Sequence, residues 1–377
     1  MSNFRIMLLS TAAVGLTAIS APASAGEVEK SATFGGHVNR VVGVVDNGDT
    51  TKLLSGDNGA SMSRVRFDGK AVSESLTARA YIEVRARGNR SSSHNATAAN
   101  GNTLSMRHSY VSLSNSMGTL ILGETNPSGD LQGALGEGFS GANWWGVDGD
   151  TINPLDSGFI VESSGNNTGS EEGALTEVNP AITLSSGRGG VIRYDAPSMN
   201  GFSFSTSLKG GADAAEEWSA SIGYDADYDG TKVSVGYGYT NLSGQSATRD
   251  DFHTVGAAIE LASGINANVG YVKATNPIAS GGAGSTTGNE PTTWLAGLGY
   301  DSMMNDMGET GIGITYTQTD DALAVGDDAE WYGLNVSQNL DAYGASVYGG
   351  VSQGSYGRTG TNYEDVQAGW VGVRVTF

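Results

Sequence analysis

Apolar and polar residues alternate along most of this chain. From Leu76 to Arg87, Leu76, Ala78, Ala80, Ile82, Val84 and Ala86 fall on one side. Thr77, Arg79, Tyr81, Glu83, Arg85 and Arg87 fall on the other. A period of two marks a β-strand, whereas a helix of this composition would scatter charge around its circumference. The same rhythm runs through 201–209, 218–227, 231–240, 265–274 and 309–318, and ends on Val371, Val373, Val375 and Phe377. Sixteen such segments are predicted, at 32–46, 61–69, 75–87, 103–114, 118–125, 189–196, 201–209, 218–227, 231–240, 252–262, 265–274, 291–301, 309–318, 330–340, 344–352 and 363–377.

The links between segments alternate as well. Ser116-Met117-Gly118, Pro197 to Gly201, Asp229-Gly230, Ser263-Gly264 and Asp341 to Tyr343 have tight-turn chemistry. The intervening links, such as 88–102 and 275–290, are longer and rich in Gly, Ser, Asn and Asp. Tight turns on one rim and long loops on the other are what a membrane barrel requires, and a β-sandwich has no reason for them. One link is out of scale. Residues 126–188 carry Asp130, Glu137, Asp148, Asp150, Asp156, Glu162, Glu171, Glu172 and Glu177, with no Lys or Arg before Arg188. Phe139, Trp144, Trp145 and Phe159 in the same link suit a loop that packs against a wall. A link this long without its own elements is expected to be functional.

Composition narrows the picture. The 377 residues include 57 Gly, 7 Pro, 15 Tyr and no Cys, with a formal charge of −20. That charge argues against nucleic acid, whose phosphates call for basic surface. No stretch after the leader is apolar enough for a membrane-spanning helix, but barrel strands need only about 9–11 residues each. At the start, Arg5, the apolar run Ile6 to Ile19, and Ala23-Ser24-Ala25 read as a secretory signal peptide over residues 1–25. Residues 26–377 then form one barrel domain, in which 126–188 is the constriction loop.

In this order over the whole mature chain, several motifs resemble the Gram-negative outer-membrane porins, particularly the alphaproteobacterial general type. They are Gly36-His-Val-Asn-Arg40, Ser63-Arg-Val-Arg-Phe67, Arg107-His-Ser-Tyr-Val-Ser-Leu113, Gly118-Thr-Leu-Ile-Leu-Gly123 and Val191-Ile-Arg-Tyr-Asp-Ala-Pro197. Each is weak alone; their succession carries the likeness. The resemblance implies an all-β fold, a sixteen-stranded antiparallel transmembrane β-barrel with a long third loop folded into the lumen. It also implies a homotrimer in outer-membrane lipid and lipopolysaccharide. Phe377 matches the family's insertion signal for the barrel-assembly machinery.

The residues supply a mechanism of their own. Parity places Arg64, Arg66, Arg79, Arg85, Arg87 and Arg193 on the wet face, because an arginine against mid-bilayer lipid costs about 2–4 kcal/mol. Across a narrow gap, Asp130, Glu137, Asp148 and Asp150 are the expected acids, and such charge rings bias which ions pass. The net acidity predicts cation preference. Two arginines break parity. Arg40 falls in step with Val38, Val42 and Val44, and Arg107 with Ser109, Val111 and Leu113. Either they sit at a rim or a bulge shifts the register. Tyr224, Tyr239, Tyr271, Tyr300 and Tyr316 fall near strand ends on the apolar face, as interfacial girdles do.

The expected function is passive diffusion of small hydrophilic solutes and ions. The alternatives are a substrate-specific channel for a sugar or small acid and, more distantly, a hydrolase on the same barrel. The four histidines, His37, His94, His108 and His253, fall in no nucleophile motif. No cofactor is expected. Calcium enters only as a structural ion at Asp148-Gly-Asp150 or Asp227-Tyr-Asp229, neither of which has the terminal glutamate of a calcium loop.

Overall fold

A computed structural model describes residues 28–46, 48, 51–58, 61–87, 103–129, 187–210, 217–241, 251–275, 290–321, 325–360 and 362–377. Their backbone forms one antiparallel sheet of 17 strands that returns to its start. The first strands are β1 (Glu29–Asp46), β2 (Thr51–Asp57), β3 (Arg64–Val72), β4 (Thr77–Arg87), β5 (Thr103–Asn115) and β6 (Gly118–Thr125). After the long link come β7 (Gly189–Asp195), β8 (Phe202–Gly210), β9 (Glu217–Tyr228), β10 (Thr231–Asn241), β11 (Asp251–Glu260) and β12 (Ile265–Thr275). The sheet finishes with β13 (Thr292–Asn305), β14 (Gly308–Asp320), β15 (Asp328–Leu340), β16 (Ala345–Gly357) and β17 (Val366–Thr376).

Strands β2 and β3 share one place in the wall, so the 17 strands make a closed barrel of sixteen positions. Both pair with the same edge of β1, β2 from Arg40 to Asp46 and β3 from Glu29 to His37. Three steps along β1, from Arg40 to His37, answer to seven on the partner, from Asp57 to Arg64. The surplus residues form a bulge. The sequence pattern starts this strand at 61 and leaves 47–60 as a link; the structure pairs Thr51–Asp57 as well. Adjacent Leu53 and Leu54 hide the alternation there.

Closure is made by β1 and β17, paired from His37↔Thr376 to Asp46↔Gln367. Just below, Gly36 and Phe377 exchange both backbone hydrogen bonds, at 2.9 and 3.0 Å. A closed sheet satisfies its backbone without water, the condition for crossing hydrocarbon. The tight turns follow their residues. Asn200 and Asp229 have φ of 51° and 53°, and Gly201 and Gly230 follow at 86° and 85°. Positive φ at both central residues suits the twist of a two-residue hairpin. Asp227 Oδ1 accepts from the Gly230 N–H at 2.8 Å, so this acidic pair serves the turn. Asp148 and Asp150 lie outside the described residues.

The two faces separate cleanly. Val42, Ile82, Val111, Ile192, Phe204, Ile222, Val235, Val269, Leu298, Ile314, Val351 and Val371 are exposed on the outside. Ring pairs sit toward both outer rims: Phe202–Tyr224 at 4.8 Å, Trp218–Tyr239 at 5.0 Å, Tyr271–Trp294 at 4.4 Å and Tyr316–Tyr332 at 5.0 Å. Amphipathic rings are stable at headgroup depth, the position a membrane barrel's rims would offer them. The inner face is mostly Ser, Thr, Asn and Gly, with Val191, Val272 and Leu295 among them and one larger apolar cluster. Val41, Val45, Ala329, Tyr348, Tyr356, Val366, Ala368 and Trp370 form a buried inner cluster, with Trp331 and Tyr363 against it.

Candidate functional site

The inner face of β3, β4, β5 and β7 is strongly basic. Pairing sets Arg64 opposite Arg85, Arg66 opposite Glu83 and Lys70 opposite Arg79. These odd- and even-numbered positions face inward because Phe67 and Ile82, their alternates, are exposed outside. Arg193 takes the inward position between Ile192 and Tyr194 on β7. For Arg87 the backbone pairs with Thr103, and its side chain lies outside the described residues.

Glu83 organises this wall. The residue is 3% exposed. Arg107 Nε donates to its Oε1 at 2.6 Å, with Arg64 Nη1 at 3.7 Å. Arg66 Nε stands 3.2 Å from Oε2, to which the Tyr81 hydroxyl also donates at 3.1 Å. Arg107 reaches this inner site through a bulge. Glu83 pairs with His108 and Val84 with Met106, so Arg107 is the extra residue on β5. The added residue turns its side chain across the sheet, which settles the register left open by the alternation.

Other arginines are held by neighbours on the same face. Arg79 grips Asp68 through two bonds of 2.7 and 2.9 Å, a planar fork that lysine lacks. Its guanidinium lies 4.7 Å from the Tyr81 ring centre, and its Nη1 donates to the Tyr110 hydroxyl at 3.1 Å. Arg85 Nε donates to Ser105 Oγ at 3.0 Å, and Arg193 Nε to Asp195 Oδ1 at 2.7 Å.

The β2–β3 bulge also points inward. Asn58, Ser61, Met62 and Ser63 are all buried. Asn39 Nδ2 donates to Ser61 O at 2.9 Å, and the Tyr348 hydroxyl links Asn39 Oδ1 and Asn58 Nδ2 at 2.6 Å each. Arg64 donates to Met62 O and Ser61 Oγ, so the bulge and the basic wall are one unit. Nothing in the alternation of the sequence marks this element.

Both described ends of the long link are tied to inner side chains. At its start, the Ser128 N–H donates to Ser207 Oγ at 2.9 Å, and Ser128 Oγ lies 3.0 Å from Ser219 Oγ. A Cβ on Gly129 would come within 2.3 Å of Thr240 Oγ1. At its end, Lys209 Nζ donates to Gly187 O at 3.0 Å and Arg188 Nε to His108 Nε2 at 3.3 Å. Asp130, Glu137, Asp148 and Asp150 lie outside the described residues.

Arg40 behaves differently. It shares the outer face with exposed Val38, Val42 and Val373, its side chain is half-exposed, and its Nη1 stands 4.0 Å from Asp57 Oδ1. It belongs to the outside of the barrel, away from the inner basic wall.

Comparison with known proteins fits this geometry. A family model for Gram-negative porins matches residues 10–359. No curated protein matches the sequence. Among solved structures, the anion-selective porin from Comamonas acidovorans is similar with a TM-score of 0.62 at 17% identity, over 93% of this chain and 100% of that one. OmpT of Vibrio cholerae, in its trimer form, gives 0.58 at 14% identity, over 92% and 99%. The outer membrane channel DcaP of Acinetobacter baumannii gives 0.58 at 13% identity, over 95% and 99%.

Proposed function

Since the chain belongs to the Gram-negative porin family, we propose that it forms a water-filled channel for passive diffusion of small hydrophilic solutes and ions. Its barrel resides in the bacterial outer membrane. The observation that carries the reading is the inward basic wall of Arg64, Arg66, Arg79, Arg85, Arg107 and Arg193, joined to a link whose two ends are tethered on the same inner surface. Guanidinium groups inside a closed sheet need water beside them. In this reading Arg87 adds to the wall, and Asp130, Glu137, Asp148 and Asp150 face it across a constriction. Opposed charges then orient water and dipolar solutes as they pass.

The channel prefers cations in this proposal, supported by the formal charge of −20 and the acidity of 126–188. Purified protein in planar bilayers under a salt gradient tests it. A reversal potential on the potassium side is expected, and one on the chloride side would refute the preference. Failure to release small sugars from vesicles would refute the channel itself.

A substrate-specific channel is the second reading, favoured by Trp331 and Tyr363, the partly exposed rings against the inner aromatic cluster. Concentration-dependent current block by one sugar and not its isomers would decide for it. A hydrolase has less support. His37 is engaged by Met62 O, and His253 lies on the outer face against the Tyr237 hydroxyl.

We place the chain in a homotrimer whose contact includes the outer face of β1 and β17. Arg40 there would cost about 2–4 kcal/mol against mid-bilayer hydrocarbon, a cost that a neighbouring subunit removes. Phe377 serves as the signal read by the barrel-assembly machinery, and outer-membrane lipid and lipopolysaccharide meet the remaining outer surface.

A further inference from the structure

One histidine joins the two stems of the 126–188 link. Thr125 closes β6, and Arg188 stands one residue before β7. His108 lies on β5, opposite Glu83 on the inner face. Its Nδ1 is 3.0 Å from Thr125 Oγ1, and its Nε2 accepts from Arg188 Nε at 3.3 Å. A guanidinium offers donors only, so Nε2 carries a lone pair and the ring is neutral. The ring proton then sits on Nδ1 and is donated to Thr125 Oγ1. The rings of Tyr81 and Tyr110 flank the imidazole edge-on, with centres 6.0 and 6.4 Å away.

Alternation alone would send Arg188 the other way. Thr125 pairs with Gly189 on the inner face, so the next position back along the chain falls on the lipid side. The backbone turns instead at Gly187, whose φ of 78° suits glycine. Lys209 Nζ donates to Gly187 O at 3.0 Å and fixes that turn. The lysine stem reaches there across Gly189, where a Cβ would come within 2.5 Å of Lys209 Cε. Arg188 is thereby brought to the lumen side, and its charge acts on both His108 and Arg107. The basic wall held by Glu83 thus extends through His108 to the end of the link.

We propose that His108 is a positioning residue that fixes Arg188 on the lumen side, where Arg188 becomes a further determinant of ion preference. This rests on the reading of the lumen as a water-filled channel. A charge lining a pore biases which ions enter. An arginine side chain has many rotamers, and ordering it is entropically costly. The neutral imidazole supplies an acceptor that orients the guanidinium without cancelling its charge, as a carboxylate would. Thr125 Oγ1 completes the arrangement, because it takes the ring proton and leaves Nε2 free to accept.

The test is the reversal potential of the full chain in planar bilayers under a potassium chloride gradient. Arg188→Gln is expected to move it toward potassium, and His108→Leu to move it the same way by a smaller amount. In the Arg188→Gln background, His108→Leu is expected to add no further shift. His108→Gln, whose amide oxygen can still accept from Arg188, is expected to stay near the wild type. An unchanged potential in Arg188→Gln, or a His108→Leu shift that persists undiminished without Arg188, overturns the proposal. So does a His108→Gln shift as large as that of His108→Leu. Nitrogen NMR of the histidine-labelled, detergent-solubilised wild type reads the same contact without current. The chain has four histidines, and the signals lost in His108→Gln identify this one. A neutral ring protonated at Nδ1 is expected at neutral pH; a ring protonated at Nε2 overturns the proposal. The expected tautomer in a barrel that does not conduct would refute the channel reading and keep the contact. Conduction with the other tautomer would refute the positioning role alone.

Discussion

At the scale of single residues, Glu83 decides how the basic wall is held. Arg64, Arg66 and Arg107 converge on its buried carboxylate. Glu83→Gln leaves them without their counter-charge, and removing one partner of a buried ionic group is strongly destabilising. We expect a loss on the order of 3 kcal/mol, read as an earlier thermal transition by circular dichroism, together with a reversal potential moved toward chloride. If neither quantity moves, Glu83 is a bystander. The positions of Arg64, Arg66, Arg79 and Arg85 follow from alternation alone, since a strand has two faces and lipid rejects charge. Arg107 does not follow, because one inserted residue on β5 reverses parity. Arg40 follows in parity, yet its partner Asp57 belongs to a strand that the pattern passes over.

Among the elements, the long link and the β2–β3 bulge differ in how the sequence shows them. The link announces itself by length and acidity. The bulge is a polar web with no periodic trace, legible only once Asn39, Asn58 and Tyr348 are brought together by β1 and β16. Tyr348→Phe removes the hydroxyl joining Asn39 Oδ1 and Asn58 Nδ2. Leaving such buried partners unsatisfied costs about 1–3 kcal/mol, which denaturation of the refolded barrel would register. At the start of the link, Gly129 lies against Thr240. Gly129→Val forces the link off the wall, and a higher single-channel conductance is the expected result. An unchanged conductance would mean that this end of the link does not restrict the pore.

For the whole molecule, assembly and closure are distinct questions. In a trimer joined across β1 and β17, Arg40→Leu weakens association while leaving each barrel intact, so trimers should fall apart at a lower temperature on native gels. Trimers of undiminished stability would move the contact to another face.

The seam carries a consequence for biogenesis. Gly36 and Phe377, drawn from opposite ends of the described chain, bond to each other directly. Joining such distant residues spends loop entropy before any contact repays it, so the ring shuts late. Until then two strand edges stand ready to template unwanted partners. Until the seam forms, those two edges are the open backbone of the sheet, so the moment of greatest aggregation risk is set by topology rather than by hydrophobicity.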